Sequence, residues 1–221
     1  MFRISTLNEA GIGLTFNQFL VVDEQPVLIE TGFNHMFGAV RAQIAKVIDP
    51  ASLRYIVVPH FEGDECGSLN QFLALAPQAK PVCSRIAAGT SLADYATVEP
   101  FTIEDGQVIP IGTKRLRFLL VPFCHAWESL IVYEETEKLL FSSDLFMQKG
   151  QSEAVTSEDR SANMLEVYRT YNAMPPGKFL LQAAEQIEKL DLKMVIPMHG
   201  SAIKQNFAPY ITALKEFAQK G

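Results

Sequence analysis

The sequence predicts a mixed α/β fold in which two sheets pack face to face with helices outside, an αββα sandwich. Three observations point there. Strand-like runs come in two blocks, helical stretches follow each block, and no linker, repeat or low-complexity segment divides the 221 residues. A chain of this length can close one good-sized core, so a single domain over residues 1–221 is expected.

The first block opens with GLTFNQFLVVDEQPVLIETG, which reads as a hairpin of FNQFLVV and PVLIE turning at DEQ. MFGAVRAQIAKVI (36–48) sets Phe37, Val40, Ile44, Val47 and Ile48 on one helical face. SLRYIVV returns as a strand that stops before His60, SLNQFLALA (68–76) reads as a helix and KPVCS (80–84) as a short strand. RIAAGTSLADY reads as helical. The second block is FTIEDGQVIPIGTKRLRFLLVPF (101–123), which alternates like consecutive antiparallel strands with turns at Asp105-Gly106 and Gly112-Thr113. SLIVYEETEKLLFSSD (129–144) is a further hairpin. Helices are then expected over 161–174 and 179–190, a short strand over 193–197 and a closing helix over 206–220.

Composition excludes several functions. The chain is 48% hydrophobic and 20% charged, with net charge −6. It shows no basic stripe, which argues against nucleic acid or an anionic membrane surface as partner. No run approaches the ~18 apolar residues of a membrane span, and the N-terminus lacks the apolar core of a signal peptide. Three cysteines, Cys66, Cys83 and Cys124, make an odd number without framework spacing, as expected of a reducing compartment, so a cytoplasmic location is expected.

Chemistry concentrates where apolar strands end. VVPHFEGDECGSL places His60, Glu62, Asp64 and Glu65 directly after RYIVV. His125 follows RFLLVPFC, Asp144 follows KLLFSS and His199 follows KMVIPM. Taken singly, each is more often a surface histidine or a turn aspartate. Together, four ligand-type positions at four strand exits would converge on one edge of the sheets. His35, in GFNHMF, has no acidic neighbour and reads as structural.

His-x-Glu-x-Asp followed by His, Asp and His at these distances resembles the metallo-β-lactamase fold, specifically the di-iron domain of flavodiiron proteins. The resemblance covers nearly the whole chain. TFNQFLVVDEQPVLIETG is similar to the opening hairpin, RYIVVPHFEGDECGSL to the first metal loop, CHAWESLIVYEETEKLLFSSDLF to the middle ligand region and VIPMHGSAI to the last. It implies two iron ions, one held by His60, Glu62 and His125, the other by Asp64 and His199, with Asp144 bridging. Glu65 departs from the pattern, because most members carry histidine there. It would ligate, accept a hydrogen bond near the site, or leave the second ion an open position. Hydrolytic relatives have a histidine where Glu62 stands; a carboxylate-rich set suits iron or manganese more than zinc. If Glu62, Asp64, Glu65 and Asp144 all bind ionised, their charge balances two ferrous ions.

Cys124 is expected to point away from the site, in the core, and Cys66 is disfavoured as a ligand. Trp127, Phe61, Phe146 and Met147 are candidates for the pocket wall or for ordinary core packing. No phosphate-cradling glycine loop occurs, and 22 residues follow His199, so no flavodoxin domain and no flavin are expected in this chain. The resemblance therefore implies a non-haem di-iron protein that binds O2 or NO, as a sensor acting on a signalling protein or as a reductase fed by a separate electron donor. The alternative is a hydrolase of thioesterase or phosphodiesterase type; a metal-free scaffold would require a broken ligand set. A homodimer is compatible with the family's head-to-tail pairing, though the reason for that pairing lapses without flavin.

Overall fold

The computed structural model describes residues 1–7, 13–150 and 153–220. Among these, one sheet runs β1-β2-β3-β4-β5-β6: Phe2–Leu7, Thr15–Val21, Val27–Ile29, Tyr55–Val57, Lys80–Ser84 and Phe101–Ile103. The second is built from β7 (Val108–Pro110), β8 (Arg115–Leu120), β9 (Leu130–Glu134), β10 (Leu139–Ser143), β11 (Val155–Thr156), β12 (Met194–Pro197) and β13 (Ala202–Ile203). Its order is β11-β13-β12-β10-β9-β8-β7. Helices α1 (Phe37–Ile44), α2 (Gly63–Cys66) and α3 (Leu69–Leu75), with the broken helical stretch of α4 (Arg85–Ala87) and α5 (Ala93–Tyr95), belong to the first half. The second half carries α6 (Ser161–Tyr171), α7 (Lys178–Glu188) and α8 (Ala208–Ala218).

Period-two alternation sorts the apolar residues into three layers. Phe19, Val21, Val27, Ile29 and Val57 of the first sheet meet Phe118, Leu130, Val132, Phe141 and Ile196 of the second in the central core. The rings of Phe19 and Phe141 lie 5.5 Å apart across that seam. Their alternates, Phe16, Leu20, Leu28 and Ile56, turn outward beneath Val40, Ile44, Leu69 and Phe72. Ile131, Tyr133, Leu140 and Val195 turn outward beneath α6, α7 and α8. The αββα expectation is met.

Several details differ from the sequence reading. β1 was not foreseen, and neither were α2 and the two-residue strands β11 and β13. The predicted strand SLRYIVV narrows to β4, with a 3-10 turn over Pro50–Ser52 before it. α6 stops at Tyr171 because Asn172 adopts the left-handed conformation, φ 50°. No helix of the described residues is long and apolar enough to cross a membrane.

Topology decides where the site forms. β3, β4, β5 and β6 are parallel, and β8, β10 and β12 run alike because β9 is antiparallel to β8 and β10 while β12 is parallel to β10. Their C-terminal ends therefore open along one edge. The two sheets are tied there by Leu130 N donating to Pro59 O at 3.0 Å and Asn17 N donating to Met198 O at 3.0 Å. At the same edge, Gly67 lets α2 approach the 33–34 backbone. A Cβ at Gly67 would press on the Gly63 carbonyl and stand 2.7 Å from Asn34 N and 3.0 Å from Phe33 Cα. Gly67→Ala should cost roughly 1–3 kcal/mol through backbone displacement, read as a fall of several degrees in Tm. An unchanged Tm would mean the loop has slack.

Candidate metal centre

The loop from β4 delivers His60 and Glu62, and the short α2 that follows carries Asp64 and Glu65. Glu128 clamps this loop: its carboxylate accepts from Phe61 N at 3.1 Å and its carbonyl accepts from Ser84 Oγ at 2.8 Å. The β8 exit turns sharply, with positive φ at both Phe123 (62°) and His125 (73°). The β10 exit does the same at Ser143 (φ 48°), just before Asp144. Non-glycine residues in that region cost of order 1–2 kcal/mol each. That strain aims His125 and Asp144 inward.

His60, Glu62, His125 and Asp144 present one ligand-type atom each, all within 4.8 Å of one another. Glu62 Oε2 lies 3.0 Å from His60 Nε2 and 2.8 Å from His125 Nε2. Asp144 Oδ2 lies 3.4 and 3.5 Å from the same two nitrogens. Its other oxygen, Oδ1, faces away to His199 Nε2 at 3.1 Å, and that nitrogen is 3.5 Å from Asp64 Oδ2. One carboxylate thus serves two adjoining clusters, and six of the seven predicted residues meet there.

The seventh, Glu65, sits behind His60. Its Oε1 is 3.6 Å from His60 Nδ1, the nitrogen turned away from the centre, and accepts from Ser143 Oγ at 2.9 Å. The other histidines are fixed by backbone carbonyls: His125 Nδ1 donates to Ala173 O at 2.6 Å and His199 Nδ1 donates to Thr15 O at 2.8 Å. Donation from Nδ1 leaves Nε2 facing the cluster, the tautomer a metal needs.

Electrostatics match a cation site. Hydrogen bonds from His125 and His60 hold Glu62 far below the usual carboxylate range. Burial would raise Asp144, but the His199 hydrogen bond and the charges of three histidines bring it down to about 2. Burial would lower His125, yet the Glu62 hydrogen bond and the Asp144 charge lift it to about 9. His199 is raised mainly by Asp144 against the same burial. Asp64 is pushed up by burial.

A cavity of about 460 Å3 opens onto Glu62, Asp64, His125, Asp144 and His199, walled by Leu14, Phe16, Phe33 and Met147. Of the four side chains proposed for its wall, only Met147 lines it. Trp127 is 50% exposed on the surface, Phe146 is buried, and Phe61 packs edge-on against Tyr95. Cys124 lies in the outer core beneath the helices, as expected. Cys66 donates its thiol to Glu62 O at 3.2 Å, and burial pushes it up to about 12, so it is no ready ligand. His35 is exposed and stacks on Phe33. Sequence reading missed Glu128, Ser143 and Glu30, whose roles depend on register between distant strands.

A profile described as ODP family beta lactamase matches residues 14–200. The chain belongs to that family. It is 26% identical over 215 residues to a nitric oxide reductase of Moorella thermoacetica, covering 94% of this chain and 54% of the relative. Its fold superposes on a metal-soaked Flv1 flavodiiron core from Synechocystis with TM-score 0.85 and 18% identity, covering 99% of this chain and 58% of that one. Rubredoxin oxygen:oxidoreductase from Desulfovibrio gigas gives 0.80 at 22% identity, with 95% and 54% covered. This ODP-family chain therefore has the metallo-β-lactamase-like fold of flavodiiron domains. It spans about half the length of the curated relatives it matches.

Proposed function

We propose that this ODP-family chain is a non-haem di-iron domain that binds O2 or NO and reduces it with electrons from a separate redox partner. The observation that carries the reading is the divided Asp144 carboxylate, with one oxygen toward His60 and His125 and the other toward His199. His60, Glu62 and His125 would hold one ion, Asp64 and His199 the other, and Asp144 both. Glu62, Asp64 and Asp144 make the donor set rich in oxygen, which suits iron better than a nitrogen-only set does. The similarity to a nitric oxide reductase and to an oxygen oxidoreductase supports the same chemistry.

Iron, when bound, supplies the position for the gas and the path for electrons. The chain's own residues do the rest. The apolar wall of Leu14, Phe16, Phe33 and Met147 on one side of the cavity favours a small uncharged ligand. The backbone carbonyls of Ala173 and Thr15 hold His125 and His199 in one tautomer. Hydrolysis is less well served, because the Glu62 carboxylate lowers the Lewis acidity that a metal-bound nucleophile requires. An electron-carrier protein is the expected partner.

The test is anaerobic loading with ferrous iron, followed by metal analysis and the visible spectrum before and after O2 or NO. About two irons per chain and a new absorption band on gas exposure are expected. A persistent band would mark a sensor, and one that fades and returns with added reductant a reductase. Zinc binding with ester hydrolysis and no response to gas would sink the reading.

A further inference from the structure

His60 differs from the other two histidines in how its outer nitrogen is held. His125 and His199 each donate to a backbone carbonyl. Behind His60 stands a run of side chains. Ser143 Oγ lies 3.3 Å from His60 Nδ1 and donates its own proton to Glu65 Oε1 at 2.9 Å, so it is placed to accept from the ring N–H. Beyond Glu65 comes the buried carboxyl of Glu30, close enough that its charge disfavours that of Glu65. All four residues are buried.

Glu30 has no place in the metal clusters, yet the fold goes to some length to put it there. It follows β3 with φ 63°, a left-handed conformation unusual for a non-glycine residue. Its backbone N–H donates to Val57 O at 3.0 Å, which ties it to the strand leading to His60. Glu30 Oε2 and Glu65 Oε2 are buried and find no N–H or O–H donor among the described residues. Two adjacent carboxyls buried without other donors are costly unless they serve each other.

We propose that Ser143, Glu65 and Glu30 form a positioning chain that holds His60 with Nε2 toward the metal, and that Glu65 acts through Ser143 rather than as a ligand. This rests on the metal site proposed above. A hydrogen-bonded carboxylate behind a ligating histidine fixes ring orientation and raises ligand basicity, and loss of such a partner costs about 10–100-fold in metal affinity. The backbone carbonyls behind His125 and His199 serve those rings directly. Only His60 depends on side chains, so only its geometry is open to substitution.

The test titrates cobalt(II) into the metal-free full chain and follows the visible spectrum, with a thermal melt of each metal-free variant. Ser143→Ala removes the middle link. Glu30→Met removes the last link at similar volume, and Glu30→Gln keeps a donor toward Glu65. Ser143→Ala and Glu30→Met should weaken cobalt binding about tenfold or more and alter the spectrum, while Glu30→Gln binds like the parent. Unchanged binding in Ser143→Ala or Glu30→Met overturns the chain. So does an equal loss in Glu30→Gln and Glu30→Met, or a metal-free fold lost in Glu30→Met, since Glu30 would then be serving packing. A parent chain that binds no cobalt would overturn the metal site itself, a separate outcome.

Discussion

Replacing Asp144 by alanine is expected to abolish paired metal binding, with affinity falling by more than about 100-fold, beyond what loss of an outer partner costs. Among the described residues Asp144 is the single group that reaches both clusters, with Oδ2 3.4 Å from His60 Nε2 and Oδ1 3.1 Å from His199 Nε2. No neighbouring carboxylate can take its place, because Glu62 contacts only the first pair of histidines and Asp64 only His199. Asp144→Asn keeps the shape and one ligating oxygen, so its stoichiometry should fall from about two metals per chain toward one. The metal-free alanine variant should also be less stable. Buried His199 would lose its nearest carboxylate, a change of up to about 3–5 kcal/mol for a broken buried pair, while His60 and His125 keep Glu62. That corresponds to roughly 6–20 °C in Tm at most. Metal analysis and thermal melting check the two parts separately. An alanine variant that still holds two metals would remove the bridge from the proposed site.

The parts of this site that were legible in the sequence share one property: each lies at the end of an apolar run. RYIVV, RFLLVPFC, KLLFSS and KMVIPM announce strands by composition, and His60, His125, Asp144 and His199 are simply what comes next. Parallel strands with aligned ends then do the gathering. What stayed illegible depends on register or on loop geometry. Glu30 and Glu65 are 35 positions apart, and nothing in either local pattern states that both carboxyls end up buried and near each other. Trp127 failed as a pocket residue for a related reason. Positive φ at Phe123 and His125, with an isolated bridge between Cys124 and Ala126, turns the loop so that His125 points in and Trp127 points out. Alternation cannot forecast that, since it applies only to a continuous strand. β11 and β13, at two residues each, are too short to show any period.

Acidity should act on the metal-free and metal-loaded forms in opposite directions. In the metal-free fold His125 rises from its ordinary 6.5 to about 9. Its contribution to stability is therefore complete below about pH 6.5 and lost as pH climbs through about 9. The shift corresponds to roughly 3 kcal/mol, or about 6–12 °C of Tm. His199, also raised, has the same sign. So do Glu30 and Glu65, pushed well up by burial, because the unfolded chain gains charge at lower pH than the fold does. Asp144, brought down to about 2, works the other way: its contribution is complete above about pH 4 and lost as pH falls through 2. The metal-free protein should thus be most stable at about pH 4 to 5, above the loss of Asp144 and before Glu30, Glu65 and the histidines begin to act against the fold. Metal binding must expel the proton that His125 holds, so below about pH 9 affinity should rise about tenfold per pH unit from that group, and the raised His199 adds in the same direction. Between pH 6 and 9 the metal-free Tm is expected to fall while cobalt or iron affinity climbs, measured on the same preparation. Parallel curves would mean that the histidines do not exchange their protons for a cation, and the cluster would then be an ion-pair network rather than a metal centre.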